Sequence, residues 1–144
     1  MTDQPILEGG CLCGALRYRI HGAPRVVSNC HCGMCRRVSG APFVTWATVR
    51  RNTVELTGTP SWLRSSDSGA RGFCPGCGGH VVARSDHYER YFDIPAGTLD
   101  DPAAAPPERH VFANYKLGWL RLGDDLPAHG EDARSPLLAP GWAR

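Results

Sequence analysis

The sequence Asn29-Cys30-His31-Cys32-Gly33-Met34-Cys35-Arg36-Arg37 places three cysteines within six residues and follows them directly with two arginines. Side chains at positions i and i+2 of a strand lie on the same face. If Cys30 and Cys32 end a strand, their sulfurs lie side by side and the His31 side chain faces the other way. Gly33 then permits a sharp turn that would bring Cys35 to the same point.

Three convergent thiolates suit a soft, tetrahedral metal ion, and zinc is the usual one. Three protein ligands leave one coordination position open, which distinguishes a catalytic zinc from a structural zinc. The alternative is a surface knuckle that takes its fourth ligand from elsewhere in the chain. Arg36 and Arg37 are close in sequence, and their charge would favour an incoming thiolate or carboxylate. The alternative for this arginine pair is a solvated helical turn.

The remaining four cysteines form two short pairs, Cys11-Leu12-Cys13 and Cys74-Pro75-Gly76-Cys77. Two such pairs supply a closed four-sulfur metal site. A redox dithiol also has the second spacing, but no βαβ pattern surrounds it here. The seven cysteines therefore predict two zinc ions per chain, one held by four sulfurs and one by three. Spacing leaves open which pairs join, since Cys11 or Cys13 could complete the trio instead.

Composition restricts the class of protein. A chain of 144 residues with 42% hydrophobic residues fits one globular domain. A formal net charge of +2 is too small to indicate nucleic-acid binding by itself. Lys116 is the only lysine, and arginine suits bidentate recognition of carboxylates, so a small acidic ligand is a candidate partner. No feature indicates the oligomeric state.

Location follows from what the sequence does not contain. No stretch approaches the roughly 20 apolar residues that cross a bilayer, and the N-terminus lacks the basic and apolar regions of a secretory signal. We therefore predict a cytoplasmic protein with no membrane partner. An odd number of cysteines in a reducing compartment favours metal ligands over disulfides.

The chain is predicted to be mainly β, because short runs of β-branched and aromatic residues recur between glycines and prolines. A single helical turn is predicted near residues 34–40. The predicted domain covers residues 1–127, and residues 128–144 form a loosely ordered tail rich in proline, glycine and charge. The predicted strands are 16–20, 26–32, 43–49, 53–56, 61–64, 71–74, 81–84, 90–94 and 110–115.

These clusters resemble the glutathione-dependent formaldehyde-activating (GFA) family, which also includes centromere protein V. The resemblance covers roughly residues 8–127. The matching motifs are Gly10-Cys11-Leu12-Cys13-Gly14, Cys30-His31-Cys32-Gly33-Met34-Cys35-Arg36, Phe73-Cys74-Pro75-Gly76-Cys77-Gly78, Thr98-Leu99-Asp100-Asp101-Pro102, His110-Val111-Phe112, Lys116, Trp119 and Asp125-Leu126-Pro127.

The resemblance implies a β-tent fold of small antiparallel sheets. It implies a structural zinc at Cys11, Cys13, Cys74 and Cys77. It implies a second zinc, with an exchangeable ligand, at Cys30, Cys32 and Cys35. The family's named activity joins glutathione and formaldehyde into S-hydroxymethylglutathione and is classed as a carbon–sulfur lyase.

Three functions are compatible with the motifs. The first is an enzyme in which the open zinc binds a thiol such as glutathione and Arg36 and Arg37 bind its carboxylates. The second is a non-catalytic zinc-binding interaction module, and the third is a redox- or metal-sensing protein that uses the cysteine trio as a switch. His31 is expected to make a hydrogen bond outside the metal, and the sequence assigns no role to His110 or Lys116.

Overall fold

A computed structural model describes residues 3–144 of the chain. Strands make up 37% of it and helix 15%, which confirms the mainly β prediction. The single α-helix in the part described is α1 (Gly33–Ser39), and short 3₁₀ turns occur at Arg51–Thr53, Asp86–Tyr88, Ala96–Thr98, Pro102–Ala104 and Ala113–Tyr115. The strands are β1 (Ile6–Gly10), β2 (Arg17–His21), β3 (Val26–Cys30), β4 (Val44–Arg50), β5 (Val54–Thr57), β6 (Ser61–Arg64), β7 (Gly69–Phe73), β8 (His80–Ser85), β9 (Tyr91–Pro95) and β10 (Arg109–Val111).

The chain divides into two compact units. The first unit contains the residues up to Val26 together with Ala47–Pro106, and the second contains Val27–Trp46 and Pro107–Arg144. Strand β4 therefore gives its first three residues to the second unit and its last four to the first.

The first unit contains an antiparallel three-stranded sheet in the order β1-β2-β5. Its strands alternate between buried and exposed positions, so that Tyr18 and Ile20 face the core while the arginines beside them face solvent. Gly9 lies opposite Tyr18, and a Cβ built at Gly9 would lie 2.3 Å from the Tyr18 hydroxyl oxygen. Glycine at this position therefore allows the tyrosine ring to pack across β1.

The same unit contains the consecutive antiparallel strands β6, β7, β8 and β9. Val81, Val82 and Ile94 are fully buried on these strands. A polar pair lies among them, because the Thr48 hydroxyl donates to the Asp93 carboxylate at 2.6 Å.

The second unit is built on β3, which pairs with β10 in parallel so that His110 lies opposite Asn29 and Val111 opposite Cys30. The family resemblance implies antiparallel sheets, and this pair is a local exception to them. The two strands are separated by nearly eighty residues of chain, and a connection of that length permits parallel pairing where a tight hairpin does not.

Two predicted strand ends are wrong. The predicted strand 26–32 ends at Cys30, because Cys32 is already the N-cap of α1. The predicted strand 110–115 ends at Val111, because Phe112 takes a left-handed backbone conformation with φ of 54°. Strand β1 was not predicted, since its Gly9-Gly10 ending lowers strand propensity.

Residues 128–144 make defined contacts in the structure. Ala128 forms a parallel bridge with His110, and His129 forms an antiparallel bridge with Leu137. The Leu122 N–H donates to the Ala143 carbonyl at 3.1 Å. The domain boundary at residue 127 stays a prediction.

Candidate metal centres and active site

Four cysteines of the first unit converge on one point. Cys11 follows β1 and Cys74 follows β7, while Cys13 and Cys77 lie in the turns that come next. Their sulfurs lie within 4.8 Å of one another, with Cys13 Sγ at 3.7 Å from Cys11 Sγ and at 3.6 Å from Cys74 Sγ. A tetrahedral ion with zinc–sulfur bonds of about 2.3 Å places its sulfurs about 3.8 Å apart. These two separations match such an ion, and all four sulfurs lie close enough together to hold one.

Main-chain amides surround this four-cysteine cluster. The Leu16 N–H donates to Cys11 Sγ at 3.3 Å, and this bond lowers the pKa of the Cys11 thiol to about 6. The N–H groups of Cys13 and Gly79 likewise lower the pKa of the Cys77 thiol. A side chain at position 79 would crowd the cluster, because a Cβ built there would lie 3.1 Å from Cys11 Cβ. These amides stabilise thiolate charge at Cys11 and Cys77, which favours metal binding there.

The other three cysteines converge in the second unit. Cys30 is the last residue of β3, Cys32 is the N-cap of α1 and Cys35 lies in the first turn of the helix. Their sulfurs also lie within 4.8 Å of one another. Cys30 and Cys35 are buried, while Cys32 is half-buried.

The helix, rather than Gly33, brings Cys35 to the other two. Gly33 is the first helical residue and has no positive φ, so the sharp glycine turn predicted from the sequence is wrong. Instead Cys32 caps the helix, and its sulfur accepts a hydrogen bond from the Cys35 N–H at 3.3 Å. One helical turn then returns Cys35 to the cap, since residues three apart lie on the same face.

The pKa values of the three thiols are shifted in different directions. Hydrogen bonds from the Cys30 and Cys35 thiols, with main-chain N–H groups of α1, lower the pKa of Cys32. The same contacts and burial raise the pKa of Cys30. The Trp46 indole N–H donates to Cys35 Sγ at 3.3 Å. Three sulfurs this close together disfavour ionisation of all three, and a bound cation would relieve that repulsion.

Among residues 3–144, no histidine, aspartate or glutamate joins either cluster as a further ligand atom. The three-cysteine cluster could therefore supply three sulfur ligands to a metal ion, with no fourth ligand from a Cys, His, Asp or Glu of the described residues. This arrangement is the one expected of a metal site that accepts an external ligand.

The two arginines after the trio lie on α1. Arg36 is half-buried and Arg37 is exposed. A Cβ built at Gly33 would lie 3.8 Å from Arg36 Nη2, so the Arg36 guanidinium reaches back to the start of the helix. Neither arginine has an acidic partner in the described part of the chain.

His31 lies between two cysteines but bonds elsewhere. Its Nε2 is 2.9 Å from His110 Nδ1, and His110 Nε2 is 2.8 Å from Asp124 Oδ2. Both imidazoles are fully buried, and burial lowers the pKa of His31 to about 4. The Trp142 ring packs on both, at centroid distances of 5.9 Å and 4.8 Å.

Lys116 makes hydrogen bonds to the nearby main chain. Its Nζ donates to the carbonyls of Leu117 and Leu120, at 3.2 Å and 2.7 Å. These bonds hold the segment that follows the last 3₁₀ turn. They give Lys116 a structural contact, which the sequence did not assign.

Comparison with known protein families identifies the family of this chain. The family model described as "Glutathione-dependent formaldehyde-activating enzyme" matches residues 6–115. The chain belongs to this family, as its cysteine motifs indicated. The match covers both cysteine clusters and excludes Asp124 and Trp142.

Two relatives and one solved structure are similar to this GFA-family chain. A Halomonas elongata protein named "Putative glutathione-dependent formaldehyde-activating enzyme" is 26% identical over 127 residues, covering 81% of each chain. A Schizosaccharomyces pombe "Uncharacterized lyase" is 31% identical over 74 residues, covering 51% of this chain and 54% of its own. A Rhodobacter sphaeroides protein of known crystal structure aligns with a TM-score of 0.55 and 18% identity, covering 65% of this chain and 87% of that one. This last likeness shows the fold alone.

Sequence reasoning missed two contacts of this GFA-family site. The sequence predicts a strand at Trp46 but not the bond from its indole N–H to Cys35 Sγ. The contact of Asp124 with His110 was also not predicted, because no spacing pattern in the sequence brings these two residues together. No helix among the described residues is long and apolar enough to cross a membrane.

Proposed function

We propose that this chain is a zinc-dependent carbon–sulfur lyase-type enzyme that acts on glutathione-like thiol adducts of small aldehydes, such as S-hydroxymethylglutathione. One observation carries the proposal, which is the trio of sulfurs with an open fourth position beside a pair of unpaired arginines. The family match and the names of its relatives support the same chemistry.

The chain would bind two zinc ions. Cys11, Cys13, Cys74 and Cys77 would hold a closed structural ion, while Cys30, Cys32 and Cys35 would hold the second. A bound Zn²⁺ supplies a positive charge that lowers the pKa of an incoming thiol and orients its sulfur.

The reaction is the reversible addition of a thiol to an aldehyde. The thiol sulfur forms a bond to the carbonyl carbon, the carbon–oxygen π bond breaks, and the proton lost by sulfur ends on the new hydroxyl oxygen. No oxidant or reductant is needed. The reverse direction breaks the same carbon–sulfur bond, which is the lyase step.

The chain's own residues would position the thiol. Cys32 is the half-buried member of the trio, so it marks the side on which an external ligand can approach. Arg36 reaches back to the start of α1 and Arg37 lies one residue further along the same helix. Their guanidinium groups suit the carboxylates of a glutathione-like tripeptide.

The test is the rate at which glutathione and formaldehyde interconvert with their adduct, followed by exchange NMR in the zinc-loaded, reduced protein. Cys32→Ser should abolish the acceleration. The fold should survive, because serine is a favoured N-cap and retains an acceptor for the Cys35 N–H. Met34→Leu on the same helix is the matched control, since Met34 is exposed and lies outside the trio. A fully active Cys32→Ser protein would overturn the proposal.

The identity of the partner and the location belong to the same proposal. Glutathione is the first thiol to test, and a cytoplasmic location and the absence of nucleic-acid binding stay predictions. Salt-sensitive DNA binding without any thiol affinity would favour the non-catalytic interaction module instead. Reversible oxidation of the trio with zinc release would favour the sensor.

A further inference from the structure

A line of hydrogen bonds runs from an exposed carboxylate to the short link between two cysteines of the trio. Asp124 is 36% exposed, whereas His110 and His31 are fully buried. The distances along the line are 2.8 Å from Asp124 Oδ2 to His110 Nε2 and 2.9 Å from His110 Nδ1 to His31 Nε2.

The partners assign the protons on these rings. An ionised carboxylate only accepts, so His110 Nε2 carries the hydrogen that it donates to Asp124. In a neutral imidazole the other nitrogen then accepts, which makes His31 Nε2 the donor to His110 Nδ1. His31 Nδ1 is left as a buried acceptor, and no group of residues 3–144 donates a hydrogen bond to it. The line therefore fixes both the tautomer and the orientation of the His31 ring.

Packing alone does not account for this arrangement. Burying a polar atom without a partner carries a cost in free energy that an apolar side chain avoids. Phe43 and Trp142 enclose the rings, with centroids at 5.0 Å and 5.9 Å from His31. Apolar residues at both positions 31 and 110 would pack there without that cost. A polar line that is retained at a cost suggests a positioning role.

The main chain ties His31 to the metal ligands. The His31 N–H donates to the Val111 carbonyl at 3.1 Å, next to the residue pair Cys30 and Val111. The backbone of His31 is the whole connection between Cys30 and Cys32. A ring held by His110 and a backbone held by Val111 together fix the path between these two sulfurs.

We propose that Asp124 and His110 are positioning residues that, by holding His31, set the geometry of the Cys30–Cys32–Cys35 cluster. This inference rests on the second metal site of the proposed function, but not on its thiol substrate. It makes the segment around Asp124, which lies beyond the family match, part of the metal centre.

The test measures metal binding alone, on the full-length reduced protein loaded with Co²⁺ in place of zinc. Cobalt–thiolate absorption bands report ligand geometry, and the four-cysteine cluster serves as an internal reference. Removing an outer hydrogen-bond partner of a metal site typically costs about tenfold or more in metal affinity. We expect a loss of that size, with altered bands, for the trio only.

Three variants test the two hydrogen bonds of this line one at a time. His110→Gln places an amide N–H near the ring's Nε2 and keeps a donor for Asp124, but it loses the acceptor for His31. Asp124→Leu removes the outer acceptor, and Asp124→Asn restores an acceptor oxygen there. We expect loss in the first two and recovery in the third.

Asp125→Asn is the matched control, since it removes the same charge one residue away. Asp125 has a φ of 55°, which asparagine tolerates, so the control should bind Co²⁺ as the parent does. A lower melting temperature with unchanged bands and affinity at the trio would mean a merely structural role and would overturn the proposal. Equal loss in the control would overturn it as well. Failure of the proposed enzyme activity with the expected Co²⁺ results would leave this inference standing.

Discussion

Trp46→Phe removes the indole N–H that donates to Cys35 Sγ at 3.3 Å and keeps an aromatic ring in a site that is 8% exposed. The donor faces a sulfur that becomes a thiolate when metal binds. A hydrogen bond to a charged group contributes about 1.5–3 kcal/mol, against about 0.5–1.5 kcal/mol for a neutral one. Removing the donor therefore destabilises the metal-bound thiolate more than the metal-free thiol, by about 1.4 kcal/mol. This difference corresponds to about a tenfold loss in the affinity of the trio for zinc.

The assay is competition for zinc between the reduced protein and a chromophoric chelator, with the affinities of the two clusters resolved separately. We expect about a tenfold weaker second site in Trp46→Phe and an unchanged four-cysteine site. Trp62→Phe is the matched control, because Trp62 is an exposed tryptophan on β6 of the other unit. Equal or tighter zinc binding at the trio of a folded Trp46→Phe protein would refute the reasoning.

Three further outcomes are expected. Gly9→Ala should lower the free energy of unfolding by about 1–3 kcal/mol, because the new Cβ would lie 2.3 Å from the Thr98 carbonyl oxygen; denaturant titration measures this. Burial raises the pKa of Asp93 above its usual 3.8, so the folded state favours the protonated acid, and its contribution to stability is lost as the pH rises through the raised pKa. Asp93→Asn, which keeps an acceptor for Thr48, should therefore gain stability relative to the parent as the pH rises from 3.8 through the raised pKa of Asp93. Melting temperatures of the two proteins that change in parallel with pH would contradict the expectation. A chelator should remove zinc from the three-cysteine cluster without change in circular dichroism, and from the four-cysteine cluster only with unfolding. The reason is that the first cluster has three protein ligands and the second has four. Simultaneous loss of both ions would contradict this order.

The metal ligands were predictable because they occur as short-range pairs. A Cys-x-Cys or Cys-x-x-Cys pair brings its own sulfurs together through local geometry, so the spacing carries the information. The joining of Cys11 and Cys13 to Cys74 and Cys77 is a contact across about sixty residues of sequence. Spacing left it open, and the family resemblance supplied it.

The residues around the ligands were not predictable in the same way. His110 and His31 are 79 positions apart, and they meet because β3 and β10 pair in parallel. Asp124 lies in a turn in which its Oδ1 accepts from the Leu126 N–H at 3.0 Å. Turn chemistry explains the residue type there, but it does not reveal the bond from His110. The Trp46 side chain was expected on a strand, but a strand pattern gives its face and not the sulfur that its N–H reaches. Tertiary contacts of single polar groups of this kind come only from the folded chain.

The central claim is that the three-cysteine cluster holds a zinc ion whose fourth position accepts an external thiol. The direct measurement is a calorimetric titration of the reduced protein, loaded with two zinc ions, with glutathione. We predict a clear binding isotherm that disappears in Cys32→Ser and persists in Met34→Leu. No heat of binding in a sample with two zinc ions confirmed per chain would contradict the claim.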